Sequence, residues 1–171
     1  MAKAQSMRAL RSVAVLLALA SLGDVAVSAT SAGSETQTVR VGQATFELVR
    51  IPAGRFRMGS ESGDRDEQPV HEVRITDEFY MGRTEVTVAQ FRAFVEATGY
   101  KTDAEQLGWA YTCPLPGVHP HERGLDWRHP GFDLRDDHPA VAVSRNDAAA
   151  FCRWLSERTG RPCRLPTEAE W

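Results

Sequence analysis

The chain has no surplus of positive charge: its 171 residues carry 20 Lys and Arg against 23 Asp and Glu, a formal net charge of −3. That balance removes the general attraction on which nucleic-acid and anionic-membrane binders depend, so neither partner is expected. A glycine-rich phosphate loop, zinc-finger spacing, heptad periodicity and internal repeats are also missing, which excludes the functions those patterns carry. Cysteine is scarce, with only Cys113, Cys152 and Cys163, at spacings that match no zinc motif. What is present, 42% hydrophobic and 25% charged residues, suits one soluble domain with a real core.

The first thirty residues differ in composition from the rest. Lys3, Arg8 and Arg11 form a basic flank, and the apolar run from Ser12 to Gly23 is too short to span a bilayer comfortably. Val27-Ser28-Ala29 supplies small residues where signal peptidase reads. Residues 1–29 are therefore expected to be a signal peptide cleaved after Ala29, giving an exported protein, periplasmic or secreted, with no membrane association after cleavage. In such an oxidising compartment structural disulfides are the default, and an odd cysteine count points to a free thiol or a missing partner. Cys152, Cys163 and Cys113 are the structural disulfide candidates, with a Cys152–Cys163 bridge as the option within the chain.

Residues 30–44 are small and polar and read as a flexible linker, leaving 45–171 as the domain. Phe46–Ile51 and Arg55–Ser60 read as strands joined by a hairpin-like turn at Pro52-Ala53-Gly54. Val70–Ile75 and Glu78–Met81 read as further short strands, after a charged loop from Glu61 to Gln68. Thr87, with Gln90 three residues later, spells a capping box for a helix that Gly99 closes. Val88, Phe91, Phe94 and Val95 give that helix a buried face.

Lys101 to Asp137 is long and irregular, Ala140–Val143 reads as a strand, and Ser144 with Asp147 caps a second helix ending at Gly160. Ala148, Phe151, Cys152 and Leu155 lie on its core face. Finally, Thr167-Glu168-Ala169-Glu170 spells another capping box, followed directly by Trp171. One turn does not repay helix nucleation, so the chain is expected to be the N-terminal part of a longer domain.

These stretches together resemble the formylglycine-generating enzyme (sulfatase-modifying factor) family. The pattern runs through Ile51-Pro52-Ala53-Gly54-Arg55-Phe56-Arg57-Met58-Gly59-Ser60, Glu67-x-Pro69-x-His71-x-Val73 and Glu85-Val86-Thr87. It continues through Ala97-Thr98-Gly99-Tyr100, Gly108-Trp109, Trp127-Arg128-His129-Pro130, Asp137-His138-Pro139-Ala140-Val141 and Asn146-Asp147-Ala148. It closes on Arg164-Leu165-Pro166-Thr167-Glu168-Ala169-Glu170-Trp171. Arg145 departs from it, standing where the family has tryptophan.

The resemblance implies a mixed α+β fold of the C-type-lectin-like kind, low in regular secondary structure and incomplete here. It implies an intact protein that oxidises a sulfatase cysteine to Cα-formylglycine with molecular oxygen, copper held by two cysteines, and structural calcium. Those ligands belong downstream of the Leu165–Trp171 segment, so no catalytic or metal-binding residue and no bound cofactor is expected here. The substrate partner implied is a sulfatase-like protein or peptide. A non-catalytic binding or scaffold module, or another maturation or oxidative enzyme of the superfamily, is the alternative on the same fold.

The family also places part of its substrate groove in the irregular region. Trp109, Tyr111 and Trp127 are the groove candidates, because loop aromatics offer rigid contact area at low entropy cost; filling the core is the other role open to them. The resemblance further ties a cysteine at the place of Cys152 to the C-terminal half. His119-Pro120-His121 reads as an exposed loop, lacking the converging ligands a metal needs. His129 and His138 are expected to pin irregular backbone, and Glu67 to accept a structural hydrogen bond.

Overall fold

The computed structural model describes residues 35–111 and 121–171. The expected signal peptide, Cys113 and His119-Pro120 lie outside them. Among the described residues seven strands, three α-helices and one short 3-10 turn follow one another.

The first strand, β1 (Thr36–Val41), lies inside the stretch expected to be a flexible linker. It is rich in β-branched residues, and Val39 and Val41 turn into the core while Arg40 stays in water. Gly42, at φ +59°, then reverses the chain into β2 (Ala44–Ile51). Val39 faces Phe46 and Val41 faces Ala44, so both strands bury the same face. The alternation was masked by neighbouring threonines and glutamine, which suit a strand as well as a linker.

β5 (Phe79–Gly82) pairs with the other side of β2, giving the order β1-β2-β5. With both edges of β2 occupied, β3 (Gly54–Met58) cannot fold back onto it. It pairs instead with β4 (His71–Ile75), so Pro52-Ala53 carries the chain from one sheet to another rather than making the expected hairpin. One face of this ribbon carries Phe56, Met58, Val73 and Ile75, the other Arg55, Arg57, Glu72 and Arg74, and none of its residues is fully buried.

Between β3 and β4 the chain closes tightly. Gly59 adopts φ +99°, and a Cβ there would lie 2.5 Å from the Glu67 carbonyl oxygen. The Ser60 N–H donates to that same carbonyl at 3.0 Å. Glu67 thus accepts its structural bond through the backbone, at the end of the 3-10 turn Arg65–Glu67.

Helix α1 (Val88–Thr98) forms as its caps dictate, with Thr87 and Gln90 exchanging hydrogen bonds and Gly99 left-handed at φ +66°. Helix α3 (Arg145–Thr159) repeats the arrangement with Ser144, Asp147 and Gly160. Their stripes meet over β2, where Phe91 packs edge-on against Phe94 (5.5 Å) and Phe94 against Phe151 (5.6 Å). Phe46 and Trp154 complete this cluster.

The expected strand at Ala140–Val143 does not form. Pro139 makes a single bridge to Thr87, the Ala140 N–H donates to the Val86 carbonyl, and Ala142 turns left-handed at φ +53°. Such a turn interrupts the extended backbone that a strand needs. At the other end of the chain, the Thr167–Glu170 capping box is formed, and the Trp171 N–H donates to the Thr167 carbonyl.

Candidate functional site

The irregular region holds more structure than its composition suggests. Thr102 and Glu105 form a third capping box, opening α2 (Asp103–Leu107), and Gly108 closes it at φ +75°. The chain passes directly into β6 (Trp109–Tyr111), which pairs with β7 (His121–Arg123) in a two-stranded ribbon. The Gly124 N–H returns to the Gly108 carbonyl at 2.9 Å and closes the base of the ribbon. Thr-x-x-Glu was the available signal for α2, the same signal that located the two longer helices.

Two of the three groove candidates come together here. Trp109 and Tyr111 stand two residues apart on one strand, so they share a face, and their rings meet edge-on with centroids 5.3 Å apart. Tyr111 is 56% exposed and Trp109 half-buried. A cleft of about 370 Å³ lies at the base of the ribbon, lined in part by Glu105, Gly108, Gly124 and Asp126 and by neither aromatic ring.

Trp127, the third candidate, is a core residue. It is 1% exposed, packs edge-on against Phe91 at 5.2 Å, and is covered by the Arg128 guanidinium 4.3 Å from its ring. Its bulk fills space that short elements leave open, so it cannot line an open groove.

Polar contacts fix this region to the helices. The Asp147 carboxylate, 0% exposed, accepts from the Tyr100 hydroxyl (3.0 Å), the Asp103 N–H (3.0 Å) and the Ser144 N–H (2.7 Å). Burial, reinforced by the neighbouring Asp147, pushes the Tyr100 hydroxyl up to about 12. Asp103 accepts from Ser144 Oγ at 2.6 Å and Asn146 Nδ2 at 3.0 Å. Burial opposes the charge on Glu105, yet the Thr102 N–H and the Arg128 guanidinium outweigh it and hold Glu105 below the usual carboxylate range.

The His138 ring pins backbone, its Nδ1 accepting from Arg135 N–H at 3.4 Å, whereas the His129 ring lies 3.5 Å from the Asp126 carboxylate and only the His129 main-chain N–H joins the turn, donating to Asp126 Oδ1 at 2.9 Å. Sequence reasoning missed the Asp103–Asp147 junction, because its partners are more than forty residues apart.

The described cysteines form no bridge with each other. Cys152 and Cys163 are both free and buried. Burial pushes the Cys152 thiol up to about 12, while the Cys163 thiol donates to the Arg161 carbonyl at 3.4 Å and lies 3.9 Å from Thr159 Oγ1. Ser156 ties their main chains together, its hydroxyl donating to the Cys152 carbonyl and accepting the Cys163 N–H, each at 2.8 Å. Protonated core thiols engaged in this way do not fit a copper site, which needs accessible thiolates. Among the described residues no group of three or more His, Cys, Asp or Glu converges as a metal or calcium cage would require.

Comparison with known proteins places this arrangement. The profile of the sulfatase-modifying factor enzyme 1-like domain matches residues 34–171, and the chain belongs to that family. It is 37% identical to the formylglycine-generating enzyme of Streptomyces coelicolor, over 86% of this chain and 52% of that protein. It is 38% identical to the inactive C-alpha-formylglycine-generating enzyme 2 of Bos taurus, over 74% of this chain and 48% of the relative. Among solved structures, PvdO from Pseudomonas aeruginosa superposes with a TM-score of 0.62 at 29% identity, covering 81% of this chain and 50% of PvdO. The chain spans about half the length of these relatives.

Proposed function

We propose that the intact protein is an exported formylglycine-generating enzyme, and that the residues described here supply its scaffold and one wall of a peptide groove. The observation that carries this reading is the 37% identity to the Streptomyces coelicolor enzyme across most of the chain. In the reaction the Cβ of a substrate cysteine takes one oxygen atom of dioxygen and becomes an aldehyde, and the sulfur leaves as hydrogen sulfide. Molecular oxygen is the oxidant, and a thiol donor supplies the second electron pair that reduces the remaining oxygen atom to water. Copper and calcium would be held by residues outside those described, since the donors here do not fit them. The local role of this region is positional: Trp109 and Tyr111 offer a rigid aromatic face to an extended peptide.

The test is to incubate the intact protein with copper, a thiol reductant and a sulfatase-type cysteine peptide, then follow aldehyde formation by mass spectrometry. Conversion is expected, and a copper-loaded protein that leaves the peptide unchanged would end the enzymatic reading. Binding without conversion would favour the second reading, a non-catalytic module, which the 38% identity to an inactive relative supports. Export is tested separately: the mature secreted protein should begin at Thr30.

A further inference from the structure

The position of α2 needs an explanation that its own sequence does not provide. Five residues make little more than one turn, and only Ala104 among them is buried. One turn does not recover the cost of nucleation, so tertiary contacts must hold it, and apolar burial contributes little. The polar contacts converge on one side chain. As the capping-box partner of Ser144, Asp147 needs only one carboxylate oxygen, and Oδ2 fills that role. Its other oxygen, Oδ1, is given wholly to groups outside α3, the Tyr100 hydroxyl and the Asp103 N–H. Asp103 answers by accepting from Ser144 and Asn146, so the N-termini of α2 and α3 are cross-bonded.

We propose that Asp147 is a positioning residue for the aromatic wall formed by Trp109 and Tyr111. The mechanical link is short. Asp147 fixes the first residue of α2, α2 ends at Gly108, and Gly108 is followed at once by Trp109. Among the described residues the β6–β7 ribbon has two strands and cannot hold itself in place, so its orientation is set at its base, by α2 on one side and on the other by the Trp127–Arg128 segment, which bonds back to Glu105 of α2. Asp147 is 0% exposed, so it reaches a bound peptide only through these elements. The link to peptide binding rests on the groove reading above; the mechanical link does not.

Hydrogen exchange and peptide kinetics on Asp147→Asn and Asp103→Pro, in the intact protein, separate the two. Val39→Ala serves as a control that loosens packing elsewhere. In both clamp variants the amides of Trp109–Tyr111 should exchange about tenfold faster while α1 stays protected, and Val39→Ala should leave them unchanged. KM for the cysteine peptide should rise about tenfold with kcat within about twofold, the split expected of lost positioning. Wild-type exchange at β6 in both variants would overturn the proposal. Faster exchange in variants of a protein that has no peptide affinity would sink the groove reading and leave the clamp standing. Faster exchange with an unchanged KM would overturn the link to binding. Asp103→Pro removes the N–H that Asp147 holds, suits the first position of α2 and leaves the capping box of α3 whole, so the test survives if Asp147→Asn does not fold.

Discussion

α1 and α3 lay their apolar stripes against β2 and meet in a cluster of aromatic rings, whereas α2 buries one alanine and is held by hydrogen bonds to its neighbours. All three helices carry the same capping box and the same left-handed glycine at the end. Local signals therefore say where a helix starts and stops but not what holds it. Hydrophobic burial is non-directional and tolerates small shifts, while a hydrogen-bonded junction fixes orientation. The groove wall proposed above would need the second property, and a scaffold can rely on the first.

Phe151→Ala tests the packed side and should have the largest effect. Phe151 is 0% exposed and touches Phe46, Phe91, Phe94 and Trp154, so truncation should cost about 3–5 kcal/mol, read as a lower urea midpoint at unchanged m-value. A loss below about 1 kcal/mol would place the main stabilisation elsewhere. Asp147→Ala tests the polar side. It strands two backbone N–H groups and the Tyr100 hydroxyl, and should cost about 2–3 kcal/mol. A cost matching that of Phe151→Ala would erase the distinction between the two regions.

A smaller effect is expected at acid pH in the segment after α3. Arg164 forms a two-pronged pair with Glu170 and, with Thr167 N–H, lowers its carboxyl from 4.5 to about 2. The folded-state value lies below the unfolded one, so this stabilisation is complete above about pH 4.5 and is lost as pH falls toward 2. The Thr167 amide resonance should follow that titration, and Glu170→Gln should give the acid-form shift at neutral pH. An unmoved resonance would show that the pair does not hold this turn. Smallest of all is Phe56→Ser on the β3–β4 ribbon, where the ring is 41% exposed and the change should stay within about 0.5 kcal/mol. A cost above about 2 kcal/mol would reveal packing on that face which the described residues do not provide.

What the sequence disclosed divides along the same line. Thr87, Gln90, Ser144 and Asp147 were legible because a cap and its partner lie three residues apart. The stripes that carry Phe91 and Phe94 on α1 and Phe151 on α3 were legible because their period is helical. The partners of β2 were not, since pairing with β1 and β5 is settled by which edges are free, a property of the whole sheet. Trp127 shows the same limit: an aromatic side chain in an irregular segment looks alike whether it fills a core or faces a ligand, and only the neighbouring Phe91 and Arg128 decide. The family was legible before any of this, because its ordered motifs survive errors in single elements.

The Gly59 turn bears on what such motifs mean. A methyl group there would collide with a backbone carbonyl that cannot swing aside, so every other amino acid is shut out of the position. The Met58-Gly59-Ser60 stretch is thus an imprint of how a loop shuts, with no reagent in it. Imprints of this kind mark kinship and are silent on turnover, and this chain stands at 37% and 38% identity to a working enzyme and to an inactive relative.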